Sequence, residues 1–360
     1  MDRFIRALIQ WQAGDPQAPA RTLTVDQVRR RYAESAAHTR RDAARAPVAG
    51  VTDQRIDGVD GSFGVRTYRP QTDRGRLVTY LHGGGWTVGD VDTHDGVCRR
   101  VAAALGAVVV SADYRRAPEH PYPGPLQDGI AAAEWAAAAF PGRGHVIAGD
   151  SAGAGLAVGV ALHERDHGNV DFAAQLLVYP PADPEMTSES IRAYGSGYLT
   201  DADDLRWYYE QYVQDPRHGT DPAIDLLRAD LHGLPPTVLG TAEFDPLHDE
   251  GVELAARLAA AGVTVEHVPG PGLVHGYLLL ADIVPASAET TTAVLDALER
   301  TLAAAADAPG RESEPRRLPR QRSSGPGAPT PRPLGEPGGS PSAGAPVPAG
   351  STVPPRPSDS

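Results

Sequence analysis

From about residue 51 to 307, short apolar runs alternate with longer stretches of helical periodicity. Runs at 62–69, 76–81, 107–112, 144–149, 174–179, 236–241 and 263–268 read as strands. Helices fall between or after them, at about 94–105, 124–139, 152–166, 248–261 and 286–306. This alternation predicts a mainly parallel central sheet covered by helices on both faces. One interval breaks it. Residues 183–230 carry an aromatic helix, Leu205-Arg206-Trp207-Tyr208-Tyr209-Glu210-Gln211-Tyr212, behind the start signal Thr200-Asp201-Ala202-Asp203. An insertion of this kind sits at the carboxyl ends of the strands, where sites form, and reads as a lid or cap. Residues 1–47 also read as helical, with Thr24-Val25-Asp26-Gln27 a capping box before a helix reaching about Ser35. The resulting plan is an N-terminal helical segment at 1–47, an α/β domain at 48–307 and a tail at 308–360. The tail is Pro, Gly, Ser and Arg with almost no large apolar side chain, so it is expected to be disordered.

Composition narrows the partners. The net charge of −13 and pI near 5.3 argue against nucleic acid and anionic membrane surfaces, which both require a basic face. All 33 basic residues are arginine, a bias that fits a GC-rich coding genome better than a function. Cys98 is the single cysteine, so no intramolecular disulfide can form, and its place in a predicted helix reads as a packed thiol. The N-terminal stretch has charges among its apolar residues, and no run approaches the roughly 18 apolar residues of a membrane span. A soluble, cytoplasmic protein is expected, with homodimerisation left open.

Two glycine-built turns carry the chemistry. Gly149-Asp150-Ser151-Ala152-Gly153 follows the strand-like His145-Val146-Ile147-Ala148 and precedes a helix of small residues. A sharp strand-to-helix turn lifts a serine hydroxyl clear of its backbone and requires small neighbours two positions away on each side. His82-Gly83-Gly84-Gly85-Trp86 follows Leu77-Val78-Thr79-Tyr80-Leu81 and leaves backbone N–H groups unshielded. Those of Gly83 and Gly84, with a third from Ala152, are the expected oxyanion donors for acyl transfer to Ser151.

The nucleophile then needs a base and the base an orienting acid, in chain order Ser, Asp or Glu, His. His275 follows the last predicted strand in a glycine-containing loop, whereas His267 lies within the strand and His163 and His167 on or near the helix after the serine. Asp245, in the loop after the penultimate strand, is the first candidate for the acid, with Glu243 in reserve. Asp249 and Glu250 read as ordinary helix-start acids. Trp86, Trp207, Tyr208 and Tyr212 are candidates either to line an apolar substrate pocket or to pack the cap onto the sheet.

The chain resembles the bacterial hormone-sensitive-lipase-like carboxylesterases of the α/β-hydrolase superfamily. The resemblance rests on His82-Gly83-Gly84-Gly85-Trp86 with Gly89 and Thr93-His94-Asp95, on Asp113-Tyr114-Arg115-Arg116-Ala117-Pro118-Glu119-His120-Pro121-Tyr122-Pro123, on Gly149 to Gly153, on Tyr179-Pro180, on Asp245 to Glu250 and on His275-Gly276-Tyr277. It implies an α/β-hydrolase fold, a triad of Ser151, Asp245 and His275, an oxyanion hole of Gly83, Gly84 and Ala152, a cap from the N-terminal region and the 183–230 insertion, and hydrolysis of short- to medium-chain acyl esters. No metal or organic cofactor is required. Amide or formamide hydrolysis would use the same parts, and a catalytically silent small-molecule receptor shares the fold. Two departures stand out: Ala154-Gly155 replaces the family's usual Gly-Asn, and the tail beyond 308 has no family counterpart.

Overall fold

Period-two alternation sorts the strand side chains onto two faces, both buried. Leu77 and Leu81, Val108 and Val110, and Ile147 join one core cluster; Val78 and Tyr80, Val109, and Val146 and Ala148 join the other. Strands covered on both faces need apolar residues at successive positions, which is why they appear in the sequence as unbroken runs. The computed structural model describes residues 1–14, 18–40 and 45–307. The expected tail at 308–360 lies outside the described residues.

Eight strands form one sheet: β1 (Gly50–Gly58), β2 (Gly61–Arg69), β3 (Arg76–Leu81), β4 (Ala107–Asp113), β5 (Gly144–Asp150), β6 (Phe172–Val178), β7 (Thr237–Phe244) and β8 (Val265–Val274). Their spatial order is β1-β2-β4-β3-β5-β6-β7-β8. The β1–β2 and β2–β4 pairs are antiparallel and the other pairs parallel. Nine helices are described: α1 (Arg3–Gly14), α2 (Val25–Thr39), α3 (Asp95–Leu105), α4 (Gly124–Ala139), α5 (Ala152–His167), α6 (Glu189–Tyr194), α7 (Ala202–Tyr212), α8 (His248–Ala260) and α9 (Pro285–Asp307). α4, α5 and α8 supply Ala132, Leu156 and Leu254 to the first cluster, and α3 and α9 supply Val101 and Leu298 to the second. The result is an α/β/α sandwich. Among the described residues no helix is long and apolar enough to cross a membrane.

The sequence-based expectation misses β1 and the short α6. β1 is an edge strand with one buried residue, Ile56, so it carries almost no apolar signal. β8 runs to Val274 rather than 268. An irregular register against β7 still pairs Phe244 with Val274, and this carries Gly270, Pro271 and Gly272 into the strand.

α2 begins at the expected capping box: the Thr24 hydroxyl accepts from Gln27 N–H, and Gln27 Oε1 accepts from Thr24 N–H. The N-terminal segment packs on the insertion through Ala20, Val28 and Trp207, with Val88 completing the cluster. Ala20 N–H donates to Asp204 Oδ1 at 2.9 Å. Arg29 fastens α2 to the α/β domain by donating to the carbonyls of Thr87 and Ala117 and to both oxygens of Glu119. The insertion is fastened at its root by α8. Glu250 Oε2 accepts from Asp183 N–H at 2.7 Å, and Asp249 Oδ2 accepts from Ser190 N–H at 2.8 Å. Glu250 is therefore no solvated helix-start charge: it is buried, and burial pushes its carboxyl well above the usual range.

Candidate active site

Parallel order brings the candidate residues to one end of the sheet. β3 and β5 are neighbours with Leu81 opposite Gly149, so the two glycine turns that follow them lie side by side. Asp245 follows β7 and His275 follows β8, both on the same carboxyl edge.

Ser151 occupies the turn between β5 and α5 with φ 51° and ψ −128°, a strained backbone that side chains rarely adopt. The flanking glycines are dictated by close approach. A Cβ at Gly149 would fall on the Gly153 carbonyl, and one at Gly153 would fall on the carbonyls of Leu81 and His82. The departure at Ala154-Gly155 is absorbed by packing: Ala154 is wholly buried, and a Cβ at Gly155 would meet Pro181 at an ordinary 3.5 Å.

The structure brings Ser151, His275 and Asp245 into one hydrogen-bonded chain. Ser151 Oγ lies 2.9 Å from His275 Nε2, and His275 Nδ1 lies 2.8 Å from Asp245 Oδ2. The other Asp245 oxygen accepts from Leu247 N–H at 2.8 Å, and the residue has no solvent exposure. A carboxylate can only accept, so Nδ1 carries the proton and Nε2 is left to accept the serine proton. Glu243, the reserve acid, points elsewhere and accepts from Gly272 N–H. The other histidines weighed from sequence lie away from the serine: His267 Nε2 contacts Thr241 Oγ1, and His163 stacks on His167. Cys98 is a packed thiol whose pKa burial pushes up to about 12.

The oxyanion expectation needs one correction. Gly83 N–H already donates to Asp150 Oδ1 at 3.0 Å, so it is not available to a substrate oxygen. Among the described residues, Gly84, Gly85 and Ala152 N–H have no protein acceptor. Gly84 has φ 123°, and its Cβ, were there one, would fall on the Val88 carbonyl. Gly85 N–H is the unengaged amide that sequence reasoning missed. Three successive glycines look alike in a sequence, and only the position of the Asp150 carboxylate tells the first from the others.

The turn is braced from behind by the Asp113–Pro123 segment. Tyr114 stacks on His82 at 4.2 Å and donates its hydroxyl to the His82 carbonyl at 2.7 Å. Ala117 N–H donates to the Trp86 carbonyl, and Arg116 donates to the Gly89 carbonyl. His82 is fully buried. Burial, reinforced by His94 nearby, lowers its pKa to about 3, so the ring is neutral and Nδ1–H donates to the Gly83 carbonyl.

The four aromatic candidates divide. Trp86 is buried and stacks on Tyr212 with ring centroids 4.5 Å apart and planes within 7°, with Tyr209 at 4.9 Å. Trp207 is buried among Ala20, Val28 and Val88. These three, Trp86, Trp207 and Tyr212, fasten the insertion to the N-terminal segment and the α/β domain. Tyr208 is only partly buried, and its ring lies directly over Gly85. It alone of the four covers the turn.

A serine, imidazole and carboxylate chain at the carboxyl edge of such a sheet, beside unengaged backbone amides, is the arrangement of a hydrolase of the α/β-hydrolase class. A profile of the alpha/beta hydrolase fold matches residues 78–279. The chain is 40% identical over 279 residues to esterase LipI of Mycobacterium tuberculosis, covering 73% of this chain and 86% of LipI. It is 33% identical over 298 residues to an ethyl acetate hydrolase of Pseudomonas putida, covering 79% and 92%. A hyperthermophilic esterase from Pyrobaculum calidifontis superimposes with a TM-score of 0.78 at 35% identity, covering 83% of this chain and 98% of that one. The protein belongs to the hormone-sensitive-lipase-like family of α/β-hydrolases.

Proposed function

We propose that the protein is a carboxylesterase that cleaves short- to medium-chain acyl esters through an acyl-enzyme. The observation that carries this reading is the unbroken Ser151–His275–Asp245 chain, at 2.9 and 2.8 Å, ending beside the glycine turn. His275 Nε2 takes the proton of Ser151 as Oγ attacks the ester carbonyl. Asp245 holds the Nδ1–H tautomer and stabilises the imidazolium that forms. Gly84, Gly85 and Ala152 N–H receive the developing oxyanion, which is where a preorganised donor contributes most. His275 then protonates the leaving alkoxide, and water repeats the cycle on the acyl-serine.

The preference for small acyl groups is supported by the Tyr208 ring over Gly85 and by the similarity to an ethyl acetate hydrolase. The N-terminal segment and the 183–230 insertion form the cap that bounds the acyl and alcohol sites. The test is a p-nitrophenyl ester series from acetate to long chains on wild type and on Ser151→Ala. The expected result is a rate maximum among short and medium chains, with kcat in the variant lower by about 10⁴-fold or more. Equal rates in the two proteins would overturn the hydrolase reading, and a maximum at long chains would overturn the acyl preference.

A further inference from the structure

Asp150 precedes the proposed nucleophile, and its carboxylate sits in a buried polar cluster. Oδ1 accepts from the Tyr80 hydroxyl at 2.8 Å and from Gly83 N–H at 3.0 Å, and Oδ2 lies 3.3 Å from the Tyr179 hydroxyl. His94 Nε2 stands 3.4 Å from Oδ1, in close contact without hydrogen-bond geometry, and makes no hydrogen bond among the described residues, while Nδ1 is held by Thr93 Oγ1 at 3.0 Å. Both side chains are shut off from solvent, at 0% and 3% exposure. Burial alone would raise the Asp150 pKa; His94, the Tyr80 hydroxyl and Gly83 N–H outweigh it and hold the carboxyl below its usual value. Among the described residues no arginine pairs with this carboxylate, and His94 is the basic side chain beside it.

The cluster touches both halves of the proposed site. Through Gly83 N–H it fixes the first peptide of the glycine turn, from which Gly84 and Gly85 continue with φ 123° and 54°. A Cβ at Gly83 would lie 2.5 Å from Asp150 Oδ2, so the turn and the carboxylate are in direct contact. Through Tyr179 it reaches the base: the Tyr179 ring packs on His275 at 4.6 Å. None of these groups reaches Ser151 Oγ or the His275 nitrogens by a hydrogen bond of its own.

We propose that His94 and Asp150 form a buried pair of positioning residues that sets the oxyanion donors: His94 holds the Asp150 carboxylate, and that carboxylate holds Gly83 N–H so that Gly84 and Gly85 N–H face the substrate. This assignment gives a role to the Thr93-His94-Asp95 motif, and it rests on the acyl-transfer reading above. The pair touches no reacting atom. Its effect is confined to states in which the carbonyl oxygen carries charge, so it acts on kcat and on tetrahedral adducts rather than on ground-state binding.

The test compares wild type, His94→Ala and His94→Gln by p-nitrophenyl butyrate kinetics, by inhibition with phenylboronic acid, and by thermal melting. The boronate forms a tetrahedral adduct on Ser151 and so samples the same donors. In His94→Ala, kcat is expected to fall about 30-fold, less than the loss of an oxyanion donor outright, with KM within about threefold of wild type. The boronate inhibition constant is expected to rise by the same factor as kcat falls, and His94→Gln is expected to recover part of both. An unchanged kcat would overturn the proposal, as would a kcat loss that boronate affinity does not follow. If His94→Ala fails to fold, Tyr80→Phe removes one hydrogen bond to Asp150 without touching the turn. It is expected to show a smaller loss, about three- to tenfold, with the same parallel between kcat and boronate, and its absence would equally overturn the proposal. Wild type that neither hydrolyses the ester nor binds the boronate would instead mark failure of the esterase reading.

Discussion

Gly84 carries the tightest backbone requirement in the turn. Its φ of 123° is closed to L side chains, and the Val88 carbonyl occupies the place of a Cβ. Gly84→Ala is expected to lower kcat by at least about 100-fold, the scale of a lost oxyanion donor, or to prevent folding. Gly96, in α3, meets nothing within 4 Å, and Gly96→Ala is expected to stabilise the protein by roughly 0.5–1 kcal/mol with no loss of kcat. Urea denaturation and ester kinetics on the two variants check both halves, and a fully active Gly84→Ala would refute the geometry given to the turn. Single residues are also where sequence reading erred. Asp150 was legible only as the x of G-x-S-x-G, because a hydrogen bond between residues 67 positions apart leaves no local pattern.

At the scale of elements, Trp86 shows how a loop and a helix become one unit. It follows the glycine turn in chain order, yet its ring is stacked on Tyr212 and packed on Tyr209 from α7. The period of α7 places Trp207 toward the N-terminal segment, Tyr208 over the glycine turn and against both clusters, and Tyr209 and Tyr212 toward the α/β core. Trp86→Ala is expected to cost about 3–5 kcal/mol, the range for emptying a buried aromatic site, measured by urea denaturation. A cost under about 1 kcal/mol would show that the insertion does not depend on this stack. Strands of the parallel core were legible because both their faces are buried. β1 was not, since an edge strand with a single buried side chain has no apolar alternation to read.

Across the whole molecule, acid sensitivity follows from two imidazoles held neutral. Burial lowers His82 and His145 to about 3 from an ordinary value near 6.5. Between those values the unfolded chain binds a proton at each position that the folded chain refuses. Stability is therefore full above about pH 6.5 and declines as pH falls toward 3, by up to roughly 1.4 kcal/mol per pH unit for each imidazole. His145 is joined to the rest of the fold by Thr79 Oγ1 at 2.9 Å. His145→Gln is expected to remove one proton's share of the slope, seen in urea unfolding repeated from pH 7 to pH 4. A slope identical to wild type would show that His145 is not held neutral in the fold.

The sequence by itself determined the elements of the parallel core and the order of the reacting groups. Apolar runs and their spacing specified the parallel core, and the position of Ser151, Asp245 and His275 after successive strands followed from that order, because strand connectivity is a local property of the chain. Tertiary structure decided which groups are engaged. It directed Asp150 onto Gly83 and left Gly84 and Gly85 N–H without protein acceptors. It turned Glu243 toward Gly272, and it buried three of the four aromatic candidates in packing while laying Tyr208 over the turn. Each of these outcomes depends on distances between residues remote in sequence, set by the sheet register and by which hydrogen bonds a buried carboxylate must find when no water can reach it.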